Sequence, residues 1–389
     1  MEQDFDTRCL HLDEEEERRE LRQSFGSLST PIYQTATFAH IGGSDYEYTR
    51  ESNPTRSHLE KMVARLENGC DCLALSSGMA AITLALGLLQ PGDTLLVDSD
   101  LYGGSIRLFD LAAARTGIRV VRQQLARDYS VADGTRAVYL ETPTNPMMHV
   151  TDLARIANNA HKAGALLIVD NTFLSPCFQN PIDFGADLVL HSGTKFLAGH
   201  HDVLAGFVVA RSPDLARKLR RLAVATGACL GPQDSWLVIR GIKTLSLRME
   251  REQENALAIA HWLKTQPAVT RVLYPGLPEH PGYEIMQRQT RGAGAVLTFE
   301  MESAAAAQAV LRHIHLIKFA ESLGGTETLM TYPITQTHAE VPEEIRRENG
   351  LNDRILRLSV GIESKRDLLK DLARAWKESE EETICRNAI

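Results

Sequence analysis

At 389 residues the chain is longer than one typical domain, and its length predicts two domains and an arm. Apolar residues make up 43% and charged residues 24%, ordinary proportions for a globular protein, while a net charge of -8 argues against nucleic-acid binding. No apolar run approaches the length of a membrane span, and the acidic start, Met1-Glu2-Gln3-Asp4-Phe5-Asp6, lacks the apolar segment of a signal or transit peptide. Cys9, Cys70, Cys72, Cys177, Cys229 and Cys385 show neither zinc-ligand nor disulfide-framework spacing, which predicts reduced thiols and a cytoplasmic location. Cys70-Asp71-Cys72 is one residue short of a thioredoxin-like motif and reads as structural.

In chain order, residues 1–56 read as an arm with little core of its own. A charge run over 14–20 is followed by a Pro/Ser/Thr-rich extended segment through Pro31 and Thr35-Ala36-Thr37-Phe38. At least the first dozen residues are expected to be frayed. Ile32, Tyr33 and Phe38 need an apolar surface to pack on, and a partner subunit would supply one.

From residue 57 to 250 helices and strands alternate. Helices are predicted over 58–68, 79–89, 105–115 and 152–163, and strands over 72–76, 94–98, 120–123, 137–141, 165–169, 186–190 and 206–210. This alternation predicts an α/β fold whose large domain holds a mostly parallel sheet covered by helices. Residues 251–389 are less regular. A long helix over 243–266 leads to strands over 269–274, 295–300 and 355–360 and helices over 303–312 and 365–380, a smaller C-terminal α+β domain.

Chemistry concentrates between Asp170 and Asp202. The run 165–169 ends in Asp170, and the run 186–190 ends in His191-Ser192-Gly193-Thr194-Lys195. Short apolar runs of this kind read as buried parallel strands, whose carboxyl ends form the ligand-binding edge of an open α/β sheet. A lysine there is useful to an enzyme if it can lose its proton, as Schiff-base chemistry requires. Ser76-Ser77-Gly78-Met79 joins a strand to a helix through small residues, and the start of that helix favours a phosphate. Ser192 and Thr194 add hydroxyl donors. Lysine, anion cradle and acid together match the needs of pyridoxal 5'-phosphate, and a pyridinium partner removes the cost of an acid at the end of an apolar strand.

Six blocks carry a resemblance over nearly the whole chain: Tyr48-Thr49-Arg50 with Asn53-Pro54-Thr55-Arg56, Ser76-Ser77-Gly78-Met79, Asp100-Leu101-Tyr102-Gly103-Gly104, Glu141-Thr142-Pro143-Thr144-Asn145-Pro146, Ser192 to Asp202, and Ser322-Leu323-Gly324-Gly325. The sequence resembles the Cys/Met-metabolism, or trans-sulfuration, group of pyridoxal-phosphate enzymes within the fold type I aminotransferase-like superfamily. That resemblance implies that Lys195 forms the Schiff base and moves protons, and that Asp170 pairs with the pyridinium. It implies that Gly78, Met79, Ser192 and Thr194 hold the phosphate, completed by Tyr48 and Arg50 of a neighbouring subunit. Asn145 is implied at the phenolic oxygen, and Tyr102 as a stacking ring and proton-transfer group. Arg357, with Ser322 nearby, matches the arginine for the substrate's α-carboxylate, whose two oxygens a guanidinium fork fits.

The resemblance also implies cystathionine-like substrates, with Glu321 at the distal ammonium and Arg107 at the distal carboxylate. Gly104 and Glu321 depart from methionine γ-lyases, which usually carry a cysteine and a non-acidic residue there. Chemistry at the γ-carbon is the leading expectation and cystathionine β-lyase the alternative; an aminotransferase or a non-catalytic scaffold remains open on fold alone. The implied partners are a small amino-acid substrate and a second copy of the chain, as a homodimer pairing into a homotetramer, with neither nucleic acid nor membrane. No metal is expected at His200-His201-Asp202, which belongs to the lysine motif. Asp98 and Asp100 are expected to cap strand and helix ends.

Overall fold

Short runs of branched apolar residues become strands here because two layers of helices bury both of their faces. The structure, a computed structural model, describes residues 3–40, 42 and 45–387, so Met1, Glu2 and the side chain of Cys385 lie outside the described residues. Its larger sheet contains β1 (Asp71–Leu75), β2 (Thr94–Asp98), β3 (Arg119–Gln123), β4 (Thr135–Glu141), β5 (Leu166–Asp170), β6 (Leu188–Ser192) and β7 (Gly206–Ala210). Their order is β1-β7-β6-β5-β4-β2-β3, all parallel except β7, which runs antiparallel to both neighbours. Alternate residues feed opposite faces: Val138 and Leu140 of β4 enter one core, Ala137 and Tyr139 the other. Each fully buried aliphatic side chain contributes roughly 1.5–3 kcal/mol.

The second sheet contains β8 (Val269–Leu273), β9 (Val296–Met301), β10 (Lys318–Phe319), β11 (Leu329–Thr331) and β12 (Ile355–Ser359), in the order β10-β11-β12-β9-β8. It has its own apolar core around Phe299, Leu356, Leu358 and Trp376. β10 and β11, of two and three residues, are too short for a periodic pattern and have no counterpart among the predicted strands. The helices at Pro213–Thr226 and Pro232–Ile242 are likewise absent from the predicted set.

The amino terminus differs from the expectation of fraying. Helices α1 (Phe5–Leu10) and α2 (Glu14–Gln23) lie against α3 (Pro54–Leu66). Phe5, Cys9 and Leu12 recur at helical spacing, and the last two are buried. Arg8 Nη1 donates to Arg65 O at 3.2 Å and Asn68 Oδ1 at 2.9 Å. α2 buries no residue, so no apolar stripe announces it; Asp13 caps it by accepting from Glu16 N at 3.0 Å, and Lys61 pairs with Glu16 at 2.6 Å.

Two further helix starts position the site. At α4 (Gly78–Leu86) Ser77 Oγ accepts from Ala80 N at 3.1 Å. α5 (Gly103–Thr116) begins after Tyr102 and ends at Gly117, whose φ of 76° is the left-handed stop that glycine allows.

Candidate active site

The carboxyl ends of β4, β5 and β6 stand side by side, with Glu141 opposite Asp170 and Asp170 opposite Leu190. They open on a cavity of about 320 Å³ whose far wall comes from the second sheet, through Arg357 of β12 and the segment Glu321–Leu323. Asp170 accepts from Thr172 N at 3.0 Å and from the Thr172 hydroxyl, and Tyr139 Oη donates to it at 3.3 Å. Burial pushes the Asp170 carboxyl up, and the Thr172 bonds and the His191 charge draw it back. Glu141 accepts only from Tyr102 N, at 3.1 and 3.2 Å, among its described partners. Burial and then the charge of Asp170 push the Glu141 carboxyl well above the usual carboxylate range.

Lys195, also in the cavity wall, is half-buried, with Nζ 2.7 Å from Ser322 Oγ. Burial, then the Arg357 charge, lowers its amine to about 8, against the opposing pull of Glu321. Such an amine is partly neutral near physiological pH, the state in which it can attack a carbonyl or accept a proton. Ser322 has φ 95°, a backbone conformation that serine rarely adopts and that directs its hydroxyl to this amine.

Arg357 is buried in the middle of its strand. Its Nη1 donates to Asn145 Oδ1 at 2.9 Å, and its Nη2 to Ser322 O at 3.0 Å and Thr331 Oγ1 at 3.2 Å. Its described hydrogen-bond partners include no carboxylate, and Nε is buried without one. Burial lowers its pKa only to about 10, so it remains a cation at neutral pH and suits an anionic ligand.

The anion cradle is formed by close backbone approach. A Cβ on Gly78 would lie 2.9 Å from Ser192 Cβ, so only glycine lets the start of α4 meet β6. The amides of Gly78 and Met79 have no acceptor within the helix, and both residues line the cavity beside Ser192 and Thr194. Thr194 Oγ1 also accepts from Ala205 N at 3.0 Å. Tyr102, 38% exposed, lines the cavity, and a Cβ on Gly104 would collide with its ring.

These groups fit pyridoxal phosphate on three observations: a lysine amine with a depressed pKa, a half-buried acid bonded to hydroxyls and an amide rather than a cation, and a glycine-shaped anion cradle. The cavity thus gathers Gly78, Met79, Tyr102, Asn145, Asp170, Ser192, Thr194, Lys195, Glu321, Ser322 and Arg357. It does not gather Tyr48, Arg50 or Arg107. Tyr48 is 43% exposed in the arm, Arg50 donates to Val224 O at 2.6 Å, and Arg107 pairs with Glu340 at 3.0 Å.

Sequence reasoning assigned no role to Glu141 and Thr172. Glu141 ends an apolar strand as Asp170 does, so the same argument about a buried acid applied to it. Thr172 links both strands, donating to Asp170 and accepting from Ser192 N at 2.8 Å, a contact that only the register of β5 and β6 produces. Asp98 and Asp100 lie outside the cavity wall and brace loops: Asp98 accepts from Asp100 N and Leu125 N, and Asp100 from Met147 N and the Thr144 hydroxyl. Among the described residues no group of three or more His, Cys, Asp or Glu is placed to hold a metal ion.

The family model described as Cys/Met metabolism PLP-dependent enzyme matches residues 6–377. Cystathionine gamma-lyase of Bacillus subtilis is 45% identical over 362 residues, 90% of this chain and 94% of that protein. Cystathionine beta-lyase of Lactococcus lactis subsp. cremoris is 46% identical over 357 residues, with 90% and 94% covered. The crystal structure of cystathionine gamma synthase from Xanthomonas oryzae pv. oryzae in complex with cystathionine superposes with a TM-score of 0.93 at 41% identity, covering 98% of this chain and 100% of that one.

Proposed function

The chain belongs to the Cys/Met metabolism family of pyridoxal-phosphate-dependent enzymes, and from that premise we propose that it makes or breaks the C–S bonds of cystathionine-like amino acids. Chemistry at the γ-carbon, as γ-synthase or γ-lyase, is the leading reading. Cystathionine β-lyase is the alternative, supported by a relative of that name at 46% identity. The observation that carries the proposal is the cavity itself, which holds a depressed lysine amine, Asp170, and an arginine whose described hydrogen-bond partners include no carboxylate.

In this reading Lys195, Asp170, Asn145, Tyr102 and the cradle of Gly78, Met79, Ser192 and Thr194 hold the cofactor. Pyridoxal phosphate supplies an aldehyde for an amine and a ring that accepts the electron pair left at Cα. Arg357 binds the substrate's α-carboxylate, which presents Cα to Lys195. The amine accepts the Cα proton there and returns it to a neighbouring carbon, with Ser322 Oγ orienting Nζ at 2.7 Å. Asp170 would pair with the ring nitrogen, and the two bonds donated by Thr172 favour its charged form. Glu321 receives the distal ammonium and Arg107 the distal carboxylate, for which Arg107 must leave Glu340.

The proposal includes a dimer, pairing into a tetramer, in which Tyr48 and Arg50 complete the partner's phosphate site. Its support is that both lie in the arm and outside their own chain's cavity. An active monomer by light scattering would overturn it. A cytoplasmic site of action is supported by the free cysteines, Cys9, Cys70, Cys72, Cys177 and Cys229. No helix among the described residues is long and apolar enough to cross a membrane.

Product analysis with cystathionine, cysteine, homocysteine and an O-acylhomoserine in one panel tests the reaction. Cysteine with 2-oxobutanoate, or cystathionine formed from the activated homoserine, is expected. Pyruvate and homocysteine alone would overturn the lead in favour of the β-lyase.

A further inference from the structure

We infer that Glu67 is a positioning residue for the cofactor: from the far face of the larger sheet its carboxylate clamps the ends of β5 and β6, through Asn171 and His191, so that the adjoining Asp170 and Ser192 keep the spacing that the ring and the phosphate require. The inference rests on the reading of the cavity as the pyridoxal-phosphate site. Successive side chains along a strand point to opposite faces. Asp170 and Ser192 line the cavity, and their neighbours Asn171 and His191 turn away from it.

Both neighbours converge on one acid. Glu67 Oε1 is 2.7 Å from His191 Nε2 and accepts from Asn171 Nδ2 at 2.7 Å, while Oε2 accepts from Asn180 Nδ2 at 3.3 Å. Asn180 and Asn171 are anchored in turn, Asn180 Nδ2 donating to Leu66 O at 2.7 Å and Asn171 Nδ2 to Gln179 O at 2.8 Å. Glu67, His191, Asn171 and Asn180 are all buried.

Stability alone does not explain this cluster. Glu67 caps the carboxyl end of α3, where the helix dipole disfavours an anion, and it is buried there. His191 Nδ1, Asn171 Oδ1 and both amide atoms of Gln179 are buried without partners among the described residues, an arrangement that an apolar cluster of similar volume would avoid. Its effect is to bind two neighbouring strands at the point where they carry cofactor groups. The cavity face has a matching link, from Ser192 N to Thr172 Oγ1 and from Thr172 to Asp170, so the strand ends are held from both sides. A positive charge on His191 also favours the ionised form of Asp170.

The test titrates cofactor-free protein with pyridoxal phosphate and reads the visible absorbance band and the visible circular dichroism per bound cofactor. In Glu67→Gln, which keeps the shape and removes the charge, the dissociation constant is expected to rise about tenfold. The circular dichroism per bound cofactor is expected to fall by half as the ring loses its fixed orientation. A Glu67 that serves only the fold would lower the melting temperature while leaving both readouts at wild-type values, and that result overturns the inference. Should Glu67→Gln fail to fold, His191→Gln retains a donor toward Glu67 and is expected to raise the dissociation constant about fivefold; unchanged readouts there overturn it equally. A wild type that forms no band would sink the reading of the site, an outcome distinct from a wild type and a variant that bind alike.

Discussion

At the Lys195 end of the cavity the groups are buried or half-buried and held by partners at hydrogen-bond distance, whereas at the proposed distal end Glu321 and, outside the cavity, Arg107 stand in solvent. Asp170, Thr172, Ser322 and Arg357 are fixed by strand register or by bonds of 2.7 to 3.3 Å. Arg107 and Glu340, by contrast, are 47% and 71% exposed, and their ion pair is of the kind that contributes about 1 kcal/mol or less. Glu321 is exposed as well, although it lines the cavity. A rigid end can fix a cofactor and an α-carboxylate. A solvated end can be changed without disturbing the core, which accords with relatives named γ-lyase and β-lyase at nearly equal identity.

The comparison breaks most directly at Lys195. In Lys195→Ala the visible band is expected to vanish and turnover to fall on the order of 10³-fold or more; persistence of the band would refute the assignment. A second measurement uses the lowered amine, placed at about 8 rather than the usual 10.5. In cofactor-free protein the neutral fraction grows as pH rises through 8, so the rate at which added pyridoxal phosphate produces the band should increase roughly fifty-fold between pH 6 and pH 8. A rate still climbing in proportion to hydroxide above pH 9 would mean an ordinary lysine.

Arg357→Lys keeps the charge and removes the planar fork. One charge-assisted bond lost predicts a drop in kcat/KM of about tenfold to a hundredfold, with the visible band retained. Loss of the band instead would show that Arg357 serves the cofactor through Asn145. Smallest of all, Glu321→Gln should lower kcat/KM for cystathionine by about fivefold or less, as expected for an exposed charge. A loss comparable with that of Arg357→Lys would erase the contrast between the two ends.

Much of the buried end was legible in the chain itself. A lysine after an apolar run, an acid closing the run before it, and a glycine between a strand and a helix are local patterns, and strand ends on an open sheet bring such residues to one edge. The α/β alternation was legible for the same reason, since a strand buried on both faces must be apolar throughout. α2 was not legible because it is held by a cap and ion pairs rather than an apolar stripe, and β10 and β11 because two or three residues hold no period.

Residue identity and spacing alone pointed to Lys195, Asp170 and the Gly78 cradle as the groups proposed for the chemistry, and the family resemblance added Arg357. Tertiary structure decided their company. It set Glu141 beside Asp170, whose charge pushes the Glu141 carboxyl up, turned Ser322 onto the Lys195 amine, held Arg107 on Glu340 outside the cavity, and bonded Glu67 to Asn171 and His191, the chain neighbours of Asp170 and Ser192. Each of these depends on strand register or on contacts between residues far apart in the chain, and a pattern read along one dimension does not contain them.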